Sequence, residues 1–373
     1  MPALNPGAMT VDGTAALLQQ DAVLQQGSVG LRLPGCELAI RSNSGQLLDR
    51  LRDYYRHVIA PVSAAALEVI AIERDEPDLD ITWTDWSREP GKTGRKDSYH
   101  DIDGGRLVRK VRTGMVFLQS ADQRIAAGAC LRYDNQLINF IASQYMNLLQ
   151  QQGWLICHAS GLVTNGRCLA MAGLSGGGKS TLMLRMMDDE AMTFLTNDRL
   201  FVKRTGDRVQ ARGIPKLPRI NPGTIVHNPR LQSMIEAGRR AQLLDLPVEE
   251  LWHLEEKFDV DIEQLYGKGR ITHEAGLGGF LILDWSRDSS EALSLEQADL
   301  ASQPELLTAI MKSPGPFYQY ADGRFYQDHT AMDPQDYIEA LRGVDIYVAR
   351  GRIDFAALAE QCKRLPAWDD VDA

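Results

Sequence analysis

The residues best suited to chemistry form one short run near the middle of the chain, from Gly173 to Ser180, with the sequence GLSGGGKS. The run fits the spacing G-x-x-x-x-G-K-[ST], in which glycines let successive backbone N–H groups converge on one anion. The lysine suits the β- and γ-phosphates of a nucleotide, and the hydroxyl after it suits Mg²⁺. The residues expected to bind the nucleotide are Gly173, Ser175, Gly176, Gly177, Gly178, Lys179, Ser180 and Thr181.

A loop of this kind needs a strand before it and a helix after it. The apolar run RCLAMAG (167–173) predicts the strand, and STLMLRMMDDE from Ser180 onwards predicts the helix. Asn165-Gly166 predicts a tight hairpin with a preceding strand over 154–163. The alternative is a glycine turn that binds nothing. The loop alone fits kinases, ATPases, GTPases and nucleotide sensors, so neighbouring residues must decide between them.

An acidic step follows the loop and supplies the next candidate residues. Asp198 lies 18 residues after Ser180, beyond the apolar run AMTFL (191–195). Its carboxylate could bind Mg²⁺ or accept a proton. The alternative is that Asp198 is simply a turn residue. His158 is a second candidate base because imidazole titrates near neutral pH, and the alternative is a core histidine. The expected catalytic residues are Asp198, His158 and Lys179, and the expected metal ligands are Ser180 and Asp198.

This order of features resembles the catalytic domain of HPr kinase/phosphorylase. In that family an HG-type strand, a G-x-S-G-x-G-K-S loop and a strand ending in Asp-Asp-Arg follow one another; here they correspond to CHASGLV, AGLSGGGKSTL and FLTNDRLFV. The similarity covers about residues 150–205, and the chain is most like the HPr kinase-related kinase B group. The resemblance implies ATP and Mg²⁺ as cofactors and a P-loop kinase core on a mixed sheet, as in phosphoenolpyruvate carboxykinase.

The same resemblance bears on partners. Genes of the kinase B group tend to accompany an ATP-grasp protein, which is therefore an expected partner. HPr kinases form hexamers, so a homo-oligomer is left open for this chain. The phosphoryl acceptor implied by the resemblance is a hydroxyl, in the first place a protein serine.

Three departures from the family pattern change what is expected of the reaction. Asn197 stands where the family has the first Asp of its acidic step, and an amide cannot accept a proton at neutral pH. Thr181 replaces a frequent Glu, and ARGIPKLPRINPG (211–223) replaces an Arg-Gly segment linked to the phosphorylase reaction. Lys216 and Arg219 in that segment either close over phosphates or are solvated loop charges. Phosphorylase activity and HPr as the acceptor are not expected.

The chain is long enough for two domains. Strand and helix patterns over residues 1–125 predict an N-terminal α+β region of unassigned role, with a loosely ordered leader over 1–30. Residues 126–373 are expected to form the α/β catalytic domain. Its first element is an amphipathic helix over 135–152, and its last helix is capped by Asp354.

Composition limits the function classes. Lys and Arg number 40 against 50 Asp and Glu, a net charge of −10 that disfavours nucleic acid or an anionic membrane as a partner. The five cysteines have no CxxC spacing, which favours reduced thiols over disulfides or zinc. No window reaches the apolar length of a membrane span, and the N-terminal residues lack the basic stretch and apolar core of a signal peptide. A cytoplasmic protein is expected.

Three functions remain open from the sequence. The first is an ATP-dependent kinase that transfers the γ-phosphoryl group to a hydroxyl acceptor. The second, suggested by Asn197, is a nucleotide-binding regulatory protein that transfers nothing. The third is a kinase whose acceptor is a small molecule.

Overall fold

A computed structural model describes residues 9–88, 93–173, 177–254, 256–286 and 288–369. The chain divides into two compact units. The first contains Met1–Gly153 and Ser313–Ala331, and the second contains Trp154–Lys312 and Met332–Ala373. The division therefore follows residue 153 rather than residue 125, and the first unit includes a segment from late in the chain.

The first unit is built on a mixed sheet. The strand order is β1-β2-β3-β8-β7-β6-β5-β4, with β2–β3 and β3–β8 parallel and the other neighbours antiparallel. The strands are β1 Val29–Leu33, β2 Cys36–Ser42, β3 Leu67–Glu73, β4 Thr84–Trp86, β5 Asp97–Ile102, β6 Gly105–Lys110, β7 Val116–Ser120 and β8 Arg124–Gly128.

Helices cover both faces of this sheet. They are α1 Val11–Gln19, α2 Gly45–Tyr54 and α3 Asp134–Gln151. Residues 11–19 do not form the loose leader that the composition predicts. The Thr10 side chain caps α1 by accepting from the Gly13 N–H, and Ala15 and Leu18 are buried against the sheet. Burial of those two side chains stabilises a helix too short to persist alone.

Helix α3 lies in the first unit because its apolar face packs on that sheet. The Phe140 ring lies 5.0 Å from that of Phe117 on β7 and 5.3 Å from that of Phe317. Asn147 also donates to the Phe317 carbonyl at 2.8 Å. The helical pattern over 135–152 predicts α3 correctly, but periodicity does not reveal which sheet an apolar face will cover.

The second unit is built on another mixed sheet, in which β17 is central. The path β12-β10-β11-β17-β14-β13-β9 is extended by β19, which pairs with β17, and by β18. The strands are β9 Leu155–Cys157, β10 Ala159–Thr164, β11 Arg167–Gly173, β12 Thr193–Thr196, β13 Leu200–Thr205, β14 Arg208–Gly213, β15 Arg219–Ile220, β16 Phe258–Asp259, β17 Glu274–Leu283, β18 Ser294–Ala298 and β19 Asp345–Arg350. Strands β15 and β16 form a separate small ribbon.

Two apolar clusters sandwich the sheet of the second unit. The residues of β11 alternate between them, with Leu169 and Met171 facing one cluster and Ala170 and Ala172 facing the other. Helices α4 and α11 cover the first face, and α9 and α10 cover the second. The helices are α4 Lys179–Met186, α5 Pro222–Val226, α6 Ala237–Leu244, α7 Val248–His253, α8 Ile262–Tyr266, α9 Leu307–Ile310, α10 Pro334–Ala340 and α11 Phe355–Cys362.

Strand register brings distant residues together at one edge of this sheet. Leu200 on β13 pairs with Cys157 on β9 and with Gly213 on β14. The residues just before Leu200 therefore lie between those that follow Cys157 and those that follow Gly213. The predicted strand over 154–163 is interrupted at His158, whose N–H donates to the Ile310 carbonyl at 2.7 Å.

The overall class agrees with the expectation of a mixed α/β protein with mixed sheets. All five cysteines are buried and free, as the reduced-thiol interpretation predicts. Within the described ranges, no helix has the length and apolar character needed to span a bilayer.

Candidate functional site

The predicted phosphate loop lies between β11 and α4. Gly173 ends β11, and Gly178 immediately precedes α4 with φ of +86°, a left-handed conformation that favours glycine. The first N–H groups of α4 have no partner within the helix, as at any helix N-terminus. Ser175 and Gly176, two of the residues expected to bind phosphate, lie outside the described residues.

Two aromatic side chains hold the end of the loop. The Trp285 indole N–H donates to the Gly177 carbonyl at 2.9 Å. Phe355, the first residue of α11, packs edge-on against Trp285 with ring centroids 6.0 Å apart. A Cβ on Gly178 would overlap the Phe355 ring. The turn into α4 is therefore limited both by its backbone angle and by the space beside it.

Lys179 and Ser180, the first two residues of α4, make different contacts. The Lys179 ammonium is buried and donates to the Gly173 carbonyl at 2.7 Å, across the loop. The Ser180 hydroxyl donates to the Asn197 side-chain oxygen at 2.8 Å. Thr181 bonds through its hydroxyl to the hydroxyl of Thr224 at 2.9 Å. A cation and a helix N-terminus thus share one end of the loop, an arrangement that suits an anion.

Asn197 connects the loop to the sheet. Its side-chain oxygen accepts from Ser180 and also from the Ser160 hydroxyl at 3.0 Å. Ser160 is opposite Asn197 because Gly161 on β10 pairs with Thr196 on β12. Asparagine at this position therefore orients the Ser180 hydroxyl, which an amide oxygen does without carrying a charge.

Asp198 sits in a strained turn. Its φ of +74° is in the left-handed region, where residues with a Cβ are uncommon. The Thr196 hydroxyl closes the turn by donating to the Arg199 carbonyl at 2.6 Å. Backbone strain of this kind clusters at functional sites and favours a role for Asp198 beyond that of a turn residue.

Three basic side chains surround the Asp198 carboxylate. His158 Nε2 is 3.0 Å from Oδ1, the Arg199 guanidinium is 2.6 Å from Oδ2, and the Lys312 ammonium is 3.9 Å from Oδ1. Burial raises the pKa of Asp198, but Arg199, His158 and Lys312 outweigh it and hold the pKa well below the usual value. The carboxylate is therefore ionised at neutral pH.

His158 is neutral at the same pH. Burial is the main cause that lowers its pKa, with Lys312 and Lys179 adding to it and the bond to Asp198 opposing it. Next to an ionised carboxylate, a neutral imidazole donates from Nε2, which makes Nδ1 the basic nitrogen. The structure thus brings His158 and Asp198, predicted separately as candidate bases, into one hydrogen-bonded pair.

Oxygen atoms near the loop suit a magnesium ion. Mg²⁺ prefers oxygen ligands, keeps several waters and needs only one or two protein ligands beside substrate phosphates. The Ser180 hydroxyl and the Asn197 amide oxygen are adjacent, whereas the oxygens of the next residue, Asp198, contact His158, Arg199 and Lys312. Among the described residues, no three His, Cys, Asp or Glu side chains form a group that could hold a metal alone. These donors fit a metal held jointly with phosphates.

Several site residues carry no signal in the sequence. Lys312 reaches Asp198 because Met311 forms an isolated bridge with Cys157, more than 150 positions earlier in the chain. Trp285 and Phe355 approach the loop from two other elements, and Thr224 approaches Thr181 from a proline-rich segment. The only sequence signals for these residues are weak ones: Phe355 is an apolar residue at the start of a helix, and Trp285 follows an apolar strand.

Comparisons with known proteins give one distant structural similarity. No protein-family model matches the chain, and no curated protein matches it. Among solved structures, it is similar to the Hpr(Ser) kinase/phosphatase from Coxiella burnetii, with 10% identity over 56% of this chain and 93% of that one. The TM-score is 0.28, so the relationship is distant and carries no argument about the reaction or the substrate.

Replacing Gly178 with Ala tests the constraint on the loop. Ala in the left-handed region costs about 1–2 kcal/mol, and overlap with Phe355 adds roughly 1–3 kcal/mol. The matched control is Gly206→Ala, since Gly206 has φ of +60° and open space around its Cβ position. We expect Gly178→Ala to lower the free energy of unfolding in urea by more than the control does.

A double variant separates the two causes. On a Phe355→Ala background the overlap is gone, so Gly178→Ala should cost about as much as Gly206→Ala. An equal cost of Gly178→Ala with and without the Phe355 ring would show that the ring does not limit the loop.

Proposed function

We propose that this chain is an ATP-dependent kinase that transfers the γ-phosphoryl group to a hydroxyl acceptor. The observation that carries the proposal is the arrangement at the start of α4. Gly178 turns the backbone into the helix, Lys179 reaches across the loop, and Ser180 bonds to Asn197 at the end of the next strand. This combination of a left-handed glycine, a buried lysine and a tethered hydroxyl supports binding of a nucleotide triphosphate.

On the nucleotide side, the backbone N–H groups at the start of α4 would donate to phosphate oxygens. The Lys179 ammonium, which now bonds to the Gly173 carbonyl, would exchange that bond for the β- and γ-phosphates. Ser180 and the Asn197–Asp198 step would hold Mg²⁺. When bound, that ion neutralises charge on the phosphates.

On the acceptor side, His158 and Asp198 would act as a pair. Asp198 is a weak base because the cations Arg199 and Lys312 and the hydrogen bond from His158 stabilise its ionised form. The neutral imidazole of His158 is better suited to receive the hydroxyl proton, and the adjacent carboxylate would stabilise the imidazolium that forms. Phosphoryl transfer depends mainly on positioning and charge, so the pair would also orient the hydroxyl.

The acceptor in this proposal is a serine hydroxyl of a protein, and a small hydroxylated molecule is the alternative. An ATP-grasp protein encoded nearby remains a proposed partner, and self-association remains open. The reverse, phosphorylase reaction is not part of the proposal, because the 211–223 segment departs from the sequence linked to it.

Asn197 favours one second candidate, a nucleotide-binding regulatory protein without phosphoryl transfer. An uncharged side chain bonded to Ser180 gives a bound metal one negative charge less than a carboxylate would. Weaker metal binding would slow transfer while leaving the phosphate contacts intact. The two candidates therefore predict the same nucleotide binding and different turnover.

Replacing Lys179 with Met tests nucleotide binding and transfer together. We expect the affinity for Mg·ATP, measured by calorimetry, to fall at least about tenfold because a charge-assisted contact to the phosphates is lost. Transfer from γ-labelled ATP to acceptors in host extract should fall by orders of magnitude. Lys268→Met, at an exposed lysine of the same unit, is the control and should match the wild type. Undiminished binding by Lys179→Met would refute the assignment of the loop.

Two single substitutions, one at 197 and one at 198, distinguish the kinase from the regulatory protein. For a kinase, we expect Asp198→Asn to lower turnover by roughly 10²-fold or more, because the carboxylate supports both His158 and the metal. Asn197→Asp should keep turnover near the wild-type rate, because a carboxylate accepts both hydroxyl hydrogen bonds that the amide accepts. The readout is labelled phosphate on an acceptor. A silent wild type together with a transferring Asn197→Asp variant would favour the regulatory protein instead.

A further inference from the structure

The segment after β14 brings an additional lysine to the edge of the site. Gly213 pairs with Leu200, so the residues from 214 onwards run beside the turn that contains Asp198 and Arg199. The approach is close, since a Cβ on Gly213 would overlap the Leu195 carbonyl. Lys216 therefore lies next to the acidic turn, because the hairpin of β13 and β14 returns the chain to it.

The Lys216 ammonium lies in an unusual setting. Its side chain is half-buried, and among the described residues it makes no ion pair or hydrogen bond. The charges that act on it most are the cations Arg199 and Arg219 and the carboxylates Asp198 and Asp259.

Both carboxylates near Lys216 already have closer cationic partners. Asp198 pairs with Arg199 at 2.6 Å, and Asp259 pairs with Arg219 at 3.0 Å, an ion pair set by the pairing of β15 with β16. Lys216 is thus a cation placed beside two other cations whose counter-charges are engaged. An anion entering this position would relieve repulsion and gain a charge-assisted hydrogen bond.

The electrostatics agree with this geometry. Burial is the largest cause that lowers the pKa of Lys216, to about 8, and Arg199 adds to the effect. At neutral pH the Lys216 side chain is still mostly charged, and burying that charge lowers the stability of the folded protein. Such a cost is typical of positions whose partner is a ligand and not another side chain.

Two groups of cations flank the His158–Asp198 pair. Lys179 and Lys312 act on His158, and Lys179 belongs to the nucleotide loop. Lys216, Arg199 and Arg219 act together on the side formed by the turn and the 214–219 segment. The phosphates of a nucleotide held by the loop have Lys179 as their cation, which leaves Lys216 to another anion.

We propose that Lys216, with Arg199 beside it, forms an oxyanion subsite for a carboxylate or phosphate group that the phosphoryl acceptor itself carries. The acceptor class is then an anionic hydroxyl compound. This inference rests on the proposed kinase function, since it assigns the second substrate of that reaction. It also gives the replaced 211–223 segment a role, because that segment supplies Lys216.

Sulfate is the probe, because it stays fully ionised at working pH and presents the same oxygen geometry as phosphate. Its binding is measured by calorimetry to the full chain, alone and saturated with Mg²⁺ and the non-hydrolysable analogue AMP-PNP. We expect sulfate to bind the loaded protein, in which the nucleotide already occupies the loop. Lys216→Met should weaken sulfate binding at least tenfold and leave the AMP-PNP affinity within about twofold.

Two further variants guard against a folding artefact. Lys216→Arg keeps a cation and should retain sulfate binding within about threefold, whereas Lys268→Met should match the wild type. A loss of AMP-PNP affinity in Lys216→Met would assign Lys216 to the nucleotide and overturn the proposal. Equal sulfate affinity of wild type and Lys216→Met would overturn it as well.

The same titrations separate this inference from the proposed function. If AMP-PNP does not bind the wild type, the kinase proposal fails whatever sulfate does. If AMP-PNP binds and depends on Lys179 but the loaded protein binds no sulfate, the kinase proposal survives and the acceptor subsite is refuted.

Discussion

A glycine that leaves no room for a side chain fixes the start of helix α4, and the site depends on that constraint. Gly178 is left-handed and lies against the Phe355 ring, while Trp285 bonds to the carbonyl of the preceding residue. The helix therefore begins at Lys179, and its N-terminal N–H groups lie at the end of the loop. Shifting the helix start by one residue would move Lys179 away from the Gly173 carbonyl and Ser180 away from Asn197. Local backbone geometry thus determines where an anion can bind.

Charge determines what the rest of the site can do. Asp198 lies among His158, Arg199 and Lys312, so its pKa is low, and in the proposed kinase the imidazole would accept the proton in its place. The cations near the turn outnumber the carboxylates that contact them. Under the proposed function, entry of anionic substrates would stabilise such a site, which links the loop before α4 and the Lys216 position in one electrostatic scheme.

The parts of the site that follow from local spacing were predictable from sequence, and the parts that depend on strand register were not. The glycine run, the Asn165-Gly166 hairpin and the α4 helix are set by residues within a few positions of one another. The break at His158 is different, because its N–H bonds to Ile310 from another part of the chain. Lys312 and Phe355 also reach the site from distant parts of the chain. The predicted boundary near residue 125 and the predicted loose leader differ from the structure, because the apolar pattern of a helix does not show which sheet that helix will cover.

A crystal structure of the chain with Mg²⁺ and AMP-PNP would show whether the loop before α4 binds the β-phosphate. We expect this phosphate to lie within hydrogen-bond distance of the Lys179 ammonium and of backbone N–H groups at the start of α4, with the Ser180 hydroxyl turned towards the metal. A nucleotide bound elsewhere, with Lys179 still bonded to the Gly173 carbonyl, would contradict this expectation.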